Sequence, residues 1–303
     1  MKTDDLEGIL PVLYAFFDER GGLRLDGFRQ QVDHCMENGA GGVILFGFVT
    51  QFYRLSFAEK VSAIRETVRG LNGAGCFGVT VMEANTDSQL ELCRVAREEG
   101  ADWLILQPPL GPTARPSDWI NMLRQIIDSA GLPVAVQNAL IAGTHLTNDE
   151  LVALQDASPN LVAVKAETAS EDIAAFAKEF GHRFRVLTGN WGVEYPFFLR
   201  NGAHGLIPAP NFVPEQVALH QAALNGDWET VDRIHSDILP LMQFFRERPA
   251  PEGQILLGKQ AYGWRTGFDP GGNRAPGPPS CNPRIVEHAR RLFERLPKAR
   301  AAT

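Results

Sequence analysis

The sequence predicts a (β/α)8 TIM barrel, a closed parallel α/β fold, with a C-terminal helical extension. Short apolar runs of strand length alternate with amphipathic stretches of helix length through the first 224 residues, in eight successive units. Regular alternation is typical of a parallel sheet covered by helices, and eight repeats are the number that closes such a sheet into a barrel. We therefore expect a barrel over residues 1–224 and a helical extension over residues 225–303.

The strand-like runs are apolar on both faces, as expected for strands buried inside a barrel. They cover residues 9–17, 42–47, 75–81, 103–107, 133–138, 161–166, 184–188 and 205–207. The amphipathic stretches cover residues 26–38, 56–69, 85–99, 117–130, 148–156, 170–180, 193–201 and 214–224. Ser56, with Glu59 three positions later, has the pattern of a capping box that begins a helix. After residue 225, helical patterns at 227–245, 254–262 and 283–296 continue without strands.

Composition excludes several classes of function. The chain has 303 residues, 44% hydrophobic and 21% charged, with a formal net charge of −7. An acidic protein of this kind is a poor partner for nucleic acid or an anionic membrane. The four cysteines are widely spaced and the N-terminus carries acidic residues, so we expect reduced thiols in the cytoplasm. The histidines lack metal-binding spacing, and no glycine-rich phosphate loop opens a helix, so we expect no metal and no cofactor.

One predicted strand ends in a buried lysine. Residues 160–167 read Asn-Leu-Val-Ala-Val-Lys-Ala-Glu, and Lys165 is the only cation at the carboxyl ends of the predicted strands, where barrel enzymes hold their active sites. A buried amine commonly loses its proton, and a neutral amine is a nucleophile that condenses with carbonyl substrates. The alternatives are a side chain that reaches out to solvent or an ion pair with Glu167. The position in the fold favours the catalytic interpretation.

Several motifs resemble one family over nearly the whole chain. They are the runs at residues 13–18, 42–47, 99–102, 132–138, 160–165 and 202–207, with Gln137 placed 28 positions before Lys165. Together they resemble the dihydrodipicolinate synthase / N-acetylneuraminate lyase superfamily, class I aldolase-type barrels with a Schiff-base lysine on strand six. The resemblance implies a cofactor-independent lyase that acts on a 2-oxo acid such as pyruvate, and a homo-oligomer, specifically a tetramer.

The sequence also departs from the family pattern. Residues 47–51 read Gly-Phe-Val-Thr-Gln where the family has Gly-Thr-Thr-Gly-Glu, and residues 137–140 read Gln-Asn-Ala-Leu where it has Tyr-Asn-x-Pro. The tyrosine is the family's general acid/base, and an amide cannot take that role. The synthases' tyrosine pair falls on Leu110 and Gly111, and their carboxylate-binding arginine falls near Ala142. We therefore expect a reaction other than dihydrodipicolinate synthesis.

Two functional hypotheses follow from these residues. The first is a Schiff-base aldolase or dehydratase, and the second is a non-catalytic or regulatory 2-oxo acid-binding barrel that retains the lysine. For catalysis we predict Lys165 as the nucleophile and Glu167 and Tyr53 as candidate proton carriers. For substrate binding we predict Phe48, Val49, Thr50, Gln137, Asn138 and Ile207. The apolar side chains around this mouth suggest a substrate less polar than a sugar or a dicarboxylate.

Overall fold

A computed structural model describes residues 6–107, 116–140, 145–248, 251–278 and 280–297. Its strands are β1 (Gly8–Ile9), β2 (Gly42–Leu45), β3 (Cys76–Val81), β4 (Trp103–Leu106), β5 (Val134–Ala139), β6 (Leu161–Glu167), β7 (Arg185–Thr188) and β8 (Gly205–Leu206). Its first eight helices are α1 (Asp26–Glu37), α2 (Phe57–Leu71), α3 (Thr86–Glu98), α4 (Pro116–Ala130), α5 (Asn148–Ala157), α6 (Ser170–Phe180), α7 (Tyr195–Arg200) and α8 (Val213–Leu224). Strands and helices alternate as predicted.

The strands form one parallel sheet in the order β1-β8-β7-β6-β5-β4-β3-β2. The two ends of this order meet through a bridge between Val12 and Ile44, where Leu13 N donates to Ile44 O (2.9 Å) and Ile44 N donates to Pro11 O (2.8 Å). The sheet is therefore a closed barrel, and the predicted TIM-barrel fold is confirmed.

The alternation of side chains along β6 decides which of them enter the barrel. Ala163 packs inside with Ala135, Ile105 and Leu187, whereas Val164 packs outward against the surrounding helices. Successive side chains of a strand point to opposite faces, so Lys165 faces the interior two residues beyond Ala163. Residues at this end of the strand therefore meet at the mouth of the barrel.

In the part of the chain that the structure describes, the barrel is followed by α9 (Trp228–Arg246), α10 (Pro251–Thr266) and α11 (Pro283–Phe293). They share an apolar cluster that also contains Val193 and Phe212, which follow β7 and β8. The rings of Trp191 and Phe245 lie 5.5 Å apart, which brings the end of α9 to the mouth of the barrel. The helical extension is present as expected, and its treatment as a separate unit from residue 225 stays a prediction.

The sequence signals for helix ends are visible in the structure. Ser56 and Glu59 form the reciprocal hydrogen bonds of a capping box at the start of α2, and Thr147 and Glu150 do the same at α5. In the described part of the chain, no helix combines the length and the apolar character needed to cross a membrane.

Candidate active site

A cavity of about 460 Å³ opens at the carboxyl ends of the strands. Its volume lies within the usual range for small-molecule sites. Apolar side chains form most of its wall, including Phe48, Val49, Phe52, Leu140 and Trp191. The same cavity is also lined by a connected polar group, made of Gln107, Gln137, Lys165 and Glu167. An apolar cavity with a few convergent polar groups is the expected form of a binding or catalytic site.

Lys165 lies in this cavity and is 8% exposed. Its Nζ donates to Gln137 Oε1 at 3.3 Å and lies 3.6 Å from Glu167 Oε1. The strand register pairs Gln137 of β5 with Lys165 of β6, which puts the two side chains on the same face of the sheet. The amine therefore has one neutral and one anionic partner, and it faces the open volume in which a substrate would lie.

A chain of hydrogen bonds fixes the orientation of the Gln137 amide. The carboxylate of Glu167 can only accept a hydrogen bond, so the amide nitrogen of Gln137 faces Glu167 and the amide oxygen faces the amine of Lys165. The distance from Gln137 Nε2 to Glu167 Oε2 is 2.6 Å. Gln107 Nε2 also donates to Gln137 Oε1, at 2.5 Å. The Gln137 side chain thus joins the lysine to the carboxylate in one geometry.

Glu167 is also held from the neighbouring turn after β7. The backbone N–H of Asn190 donates to Glu167 Oε1 at 3.3 Å. Asn190 and Trp191 both have positive φ angles, of 54° and 64°, a conformation that costs free energy in residues other than glycine. A Cβ on Gly189 would overlap the Glu167 carboxylate, so this turn approaches Glu167 as closely as glycine allows. The turn therefore has a strained shape that places the carboxylate beside Lys165.

Tyr53 also lines the cavity, but its hydroxyl is engaged elsewhere. It donates to Glu252 Oε1 at 2.6 Å, and Arg54 pairs with the same oxygen at 2.8 Å. Burial and the hydrogen bond to Glu252 raise the pKa of Tyr53 to about 12. A phenol with this pKa is a poor general base near neutral pH. Of the two predicted proton carriers, Glu167 is therefore in contact with Lys165, and Tyr53 is in contact with the C-terminal extension.

The remaining predicted binding residues fall into two groups. Phe48, Val49, Gln137 and Ile207 line the cavity together with Lys165. Thr50 and Asn138 do not line it, because their side chains bind backbone groups instead. The Thr50 hydroxyl donates to Leu13 O at 2.7 Å, and the Asn138 amide bonds both Leu146 N and Leu146 O at 2.8 Å. Both side chains stabilise loops at the mouth.

Some cavity residues come from outside the strand ends that the sequence singled out. Arg246, Gln254 and Ile255 lie on α9 and α10 and line the cavity, and Glu252 lies behind Tyr53. Strand periodicity carries no signal for these helical residues. Leu110, Gly111 and Ala142, which align with further family positions, lie outside the described residues. Within the described ranges, no group of three or more His, Cys, Asp or Glu side chains could hold a metal ion.

A second buried lysine lies outside the cavity wall. Lys259 is 1% exposed, and its Nζ donates to Gln51 Oε1 at 2.6 Å and lies 4.9 Å from the centre of the Phe17 ring. Burial lowers the pKa of Lys259 to about 7. Gln51 Nε2 in turn donates to Glu252 Oε2 at 3.0 Å, so this group links the turn after β2 to α10.

Comparison with known proteins places this arrangement in context. The profile of the Dihydrodipicolinate synthetase family matches residues 5–266. A 4-hydroxy-tetrahydrodipicolinate synthase of Methanospirillum hungatei is 29% identical over 275 residues, which cover 87% of this chain and 93% of that protein. One from Methanosphaerula palustris is 26% identical over 252 residues, covering 81% and 86%.

Solved structures show the same fold. The dihydrodipicolinate synthase of Rhodopseudomonas palustris superposes with a TM-score of 0.89 at 19% identity, covering 97% of this chain and 99% of that one. The corresponding enzyme of Bacillus clausii gives 0.87 at 23% identity, covering 96% and 98%. At these identities the likeness concerns the architecture alone.

Proposed function

The chain belongs to the dihydrodipicolinate synthetase family, and we propose that it is a Schiff-base-forming lyase, an aldolase or dehydratase, that acts on a 2-oxo acid such as pyruvate or a derivative. The observation that carries the proposal is the position of Lys165, buried on β6 and facing a cavity of substrate size. From the same resemblance we propose a cytoplasmic homotetramer that needs no cofactor.

In the proposed reaction Lys165 is the nucleophile. Its amine attacks the C2 carbonyl carbon of the substrate, and the carbonyl oxygen leaves as water, which forms an iminium ion. The iminium accepts the electron pair of a breaking bond at C3 and becomes an enamine. Cleavage of the C3–C4 bond with transfer of the 4-hydroxyl proton to a base is aldol cleavage. Loss of a C3 proton followed by departure of the C4 hydroxyl as water is dehydration.

Glu167 is the proposed proton carrier for these steps. Its Oε1 lies 3.6 Å from Lys165 Nζ, so a carboxylate is next to the nitrogen that forms the iminium. Gln137 occupies the family's tyrosine position and holds Glu167 by a hydrogen bond of 2.6 Å, but its amide does not exchange protons near neutral pH. Glu167 is thus the titratable neighbour of the nucleophile, and Gln137 is a positioning residue.

The proposed reaction differs from dihydrodipicolinate synthesis. Phe48 and Val49 replace the two threonine hydroxyls of the family pattern and line the cavity, and Gln137 replaces the tyrosine. A site that binds its substrate through hydroxyl groups rejects molecules that cannot form those hydrogen bonds. Replacing the hydroxyl groups by apolar side chains therefore changes which substrate fits. The relatives named as synthases therefore say more about the fold and the nucleophile of this chain than about its second substrate.

One observation favours the alternative, a binding or regulatory barrel without turnover. Lys165 Nζ lies 3.6 Å from Glu167 Oε1 in an ion pair, and an amine that serves as the cation of such a pair does not attack a carbonyl. In that case the lysine would serve as a fixed positive charge for the carboxylate of a 2-oxo acid.

Reductive trapping distinguishes the two functions. We expect borohydride in the presence of pyruvate, or of a larger and more apolar 2-oxo acid, to add one substrate-derived group per chain, measured by intact mass. Lys165→Ala should abolish the adduct while circular dichroism stays unchanged. Lys178→Ala, which removes an exposed lysine on α6, is the matched control and should still be trapped. No adduct across the panel, with binding retained, would establish the alternative.

A further inference from the structure

Arg246 is a charged cavity residue that the lyase chemistry does not use. It is the last residue of α9 and lines the cavity with an exposed side chain. Gln254 Nε2 donates to the carbonyl oxygens of Arg246 at 3.0 Å and of Arg248 at 3.1 Å, which holds the end of α9 against α10. Arg246 therefore belongs to the cavity wall and lies on a stretch of backbone that is held in place.

The charges that line the cavity do not balance. Among the residues that the structure describes, the charged ones in its wall are Lys165, Glu167 and Arg246, and the first two form an ion pair. Within the described ranges, the Arg246 side chain has neither an ion pair nor a hydrogen bond, whereas Arg54 behind the wall is paired with Glu252. A basic residue in the last turn also stabilises a helix through its dipole, but that role does not require the cavity. Arg246 thus leaves one unmatched positive charge in the cavity.

We propose that Arg246 binds a second carboxylate of the substrate, remote from the 2-oxo acid group. The proposal rests on the lyase function above, because Lys165 fixes the position of the other end. The first carboxylate is attached to the carbon that condenses with Lys165 and must therefore lie deep in the barrel. Arg246 is exposed at the rim, on the extension, so it meets the opposite end of a longer molecule. A guanidinium fork matches the geometry of a carboxylate and binds it by two parallel hydrogen bonds.

Apolar side chains of the same cavity limit the rest of this molecule. Phe48, Trp191 and Ile255 line the cavity together with Lys165 and Arg246. The substrate class that fits is a 2-oxo dicarboxylic acid with an apolar body and a terminal carboxylate. This differs from the expectation of a substrate less polar than a dicarboxylate, because Arg246 lies on a helix of the extension and not at the end of a strand.

Binding of acids that cannot condense tests Arg246 apart from Lys165. The probes are 2-hydroxyhexanoate and 2-hydroxyadipate, which have the same chain length and differ in the terminal carboxylate. Calorimetry should show that the wild-type protein binds the diacid about tenfold more tightly or better, the lower range for a charge-assisted hydrogen bond. Arg246→Gln should remove the preference and leave the monoacid unchanged, Arg246→Lys should keep part of it, and added salt should weaken it.

Arg233→Gln is the matched control, since it removes the same charge from an exposed position on α9 that does not line the cavity. It should keep the full preference. A wild-type protein without a preference for the diacid, or an Arg246→Gln variant that loses affinity for both acids equally, would overturn the proposal. Equal loss would mean that Arg246 binds the first carboxylate.

Reductive trapping with 2-oxohexanoate and 2-oxoadipate separates this proposal from the lyase function. An Arg246-dependent preference in binding without any trapped adduct would refute the lyase and support the second carboxylate site. Trapping of both 2-oxo acids at the same concentrations, in wild type and in Arg246→Gln alike, would refute the carboxylate site and leave the lyase function in place.

Discussion

Glu167→Gln is the substitution that tests the proposed proton transfer most directly. It removes the negative charge and the exchangeable proton but keeps the size of the side chain. Loss of one general acid/base contribution lowers turnover by about 10²–10⁴, which corresponds to about 3–5 kcal/mol in the activation barrier. The assay is turnover on the best 2-oxo acid found by screening, with reductive trapping measured in parallel on the same preparation.

The hydrogen bonds around Glu167 sharpen this prediction. Its two oxygens accept from Asn190 N and from Gln137 Nε2, and an amide at this position has only one acceptor oxygen. The NH₂ group of the new glutamine must therefore face one of these two donors. The exception is a rotation of the Gln137 amide by half a turn, which would point the Gln137 nitrogen at Lys165. We expect turnover to fall by the full factor while the trapped adduct still forms.

The opposite pattern would refute the assignment. If Glu167 serves only as the counter-ion of Lys165, removing its charge frees the amine of Lys165. Reductive trapping should then rise without a loss of turnover. If turnover and trapping fall by the same factor, Glu167 acts through the nucleophile and not as a separate proton carrier.

Three further substitutions test neighbouring contacts. Gly189→Ala should lower turnover at least tenfold at unchanged circular dichroism, because its Cβ would displace the Glu167 carboxylate. Tyr53→Phe should lower turnover less than tenfold, since the Tyr53 hydroxyl is bonded to Glu252, and a loss as large as that of Glu167→Gln would contradict this. Lys259→Met should flatten the dependence of stability on pH between 7 and 9, measured by urea unfolding with the exposed Lys178→Met as control. Burial lowers the pKa of Lys259 from its ordinary value of 10.5 to about 7 in the folded protein. Between pH 7 and 9 the unfolded chain therefore binds more protons than the folded protein does. The free energy of unfolding consequently rises with pH, by up to about 1.4 kcal/mol per pH unit.

The barrel was predictable because its signals are local and repeated. Each strand is a short apolar run, and some helices begin with a recognisable cap, such as Ser56 with Glu59 at α2 and Thr147 with Glu150 at α5. The same periodicity places Lys165 inside, two residues beyond Ala163, and puts Gln137 opposite it in the register. These are properties of single strands and of neighbouring strands, and the sequence expresses them directly.

The other parts of the site depend on geometry that periodicity does not describe. Thr50 lies in a 3-10 turn, Phe48–Thr50, followed by Gln51 at a φ of 53°, and this turn directs the Thr50 hydroxyl to Leu13 O and not into the cavity. Arg246 reaches the cavity because the extension packs against Val193 and Phe212, a contact between segments distant in sequence. The place of Arg246 in the cavity wall depends on how the extension packs against the barrel, which no local pattern in α9 indicates.

Replacing the family's tyrosine by Gln137 changes what the neighbours of Lys165 must do. A tyrosine at this position can carry a proton itself, whereas the amide can only hold other groups in place. Here it accepts from Lys165 and donates to Glu167, so the amide that stands in the tyrosine's place positions the carboxylate that we propose as the proton carrier. Gln107 donates to the same amide oxygen, which stabilises this orientation of the amide. Under the proposed function, a change at Gln137 should therefore alter the role of Glu167, and a change at Glu167 should alter that of Gln137.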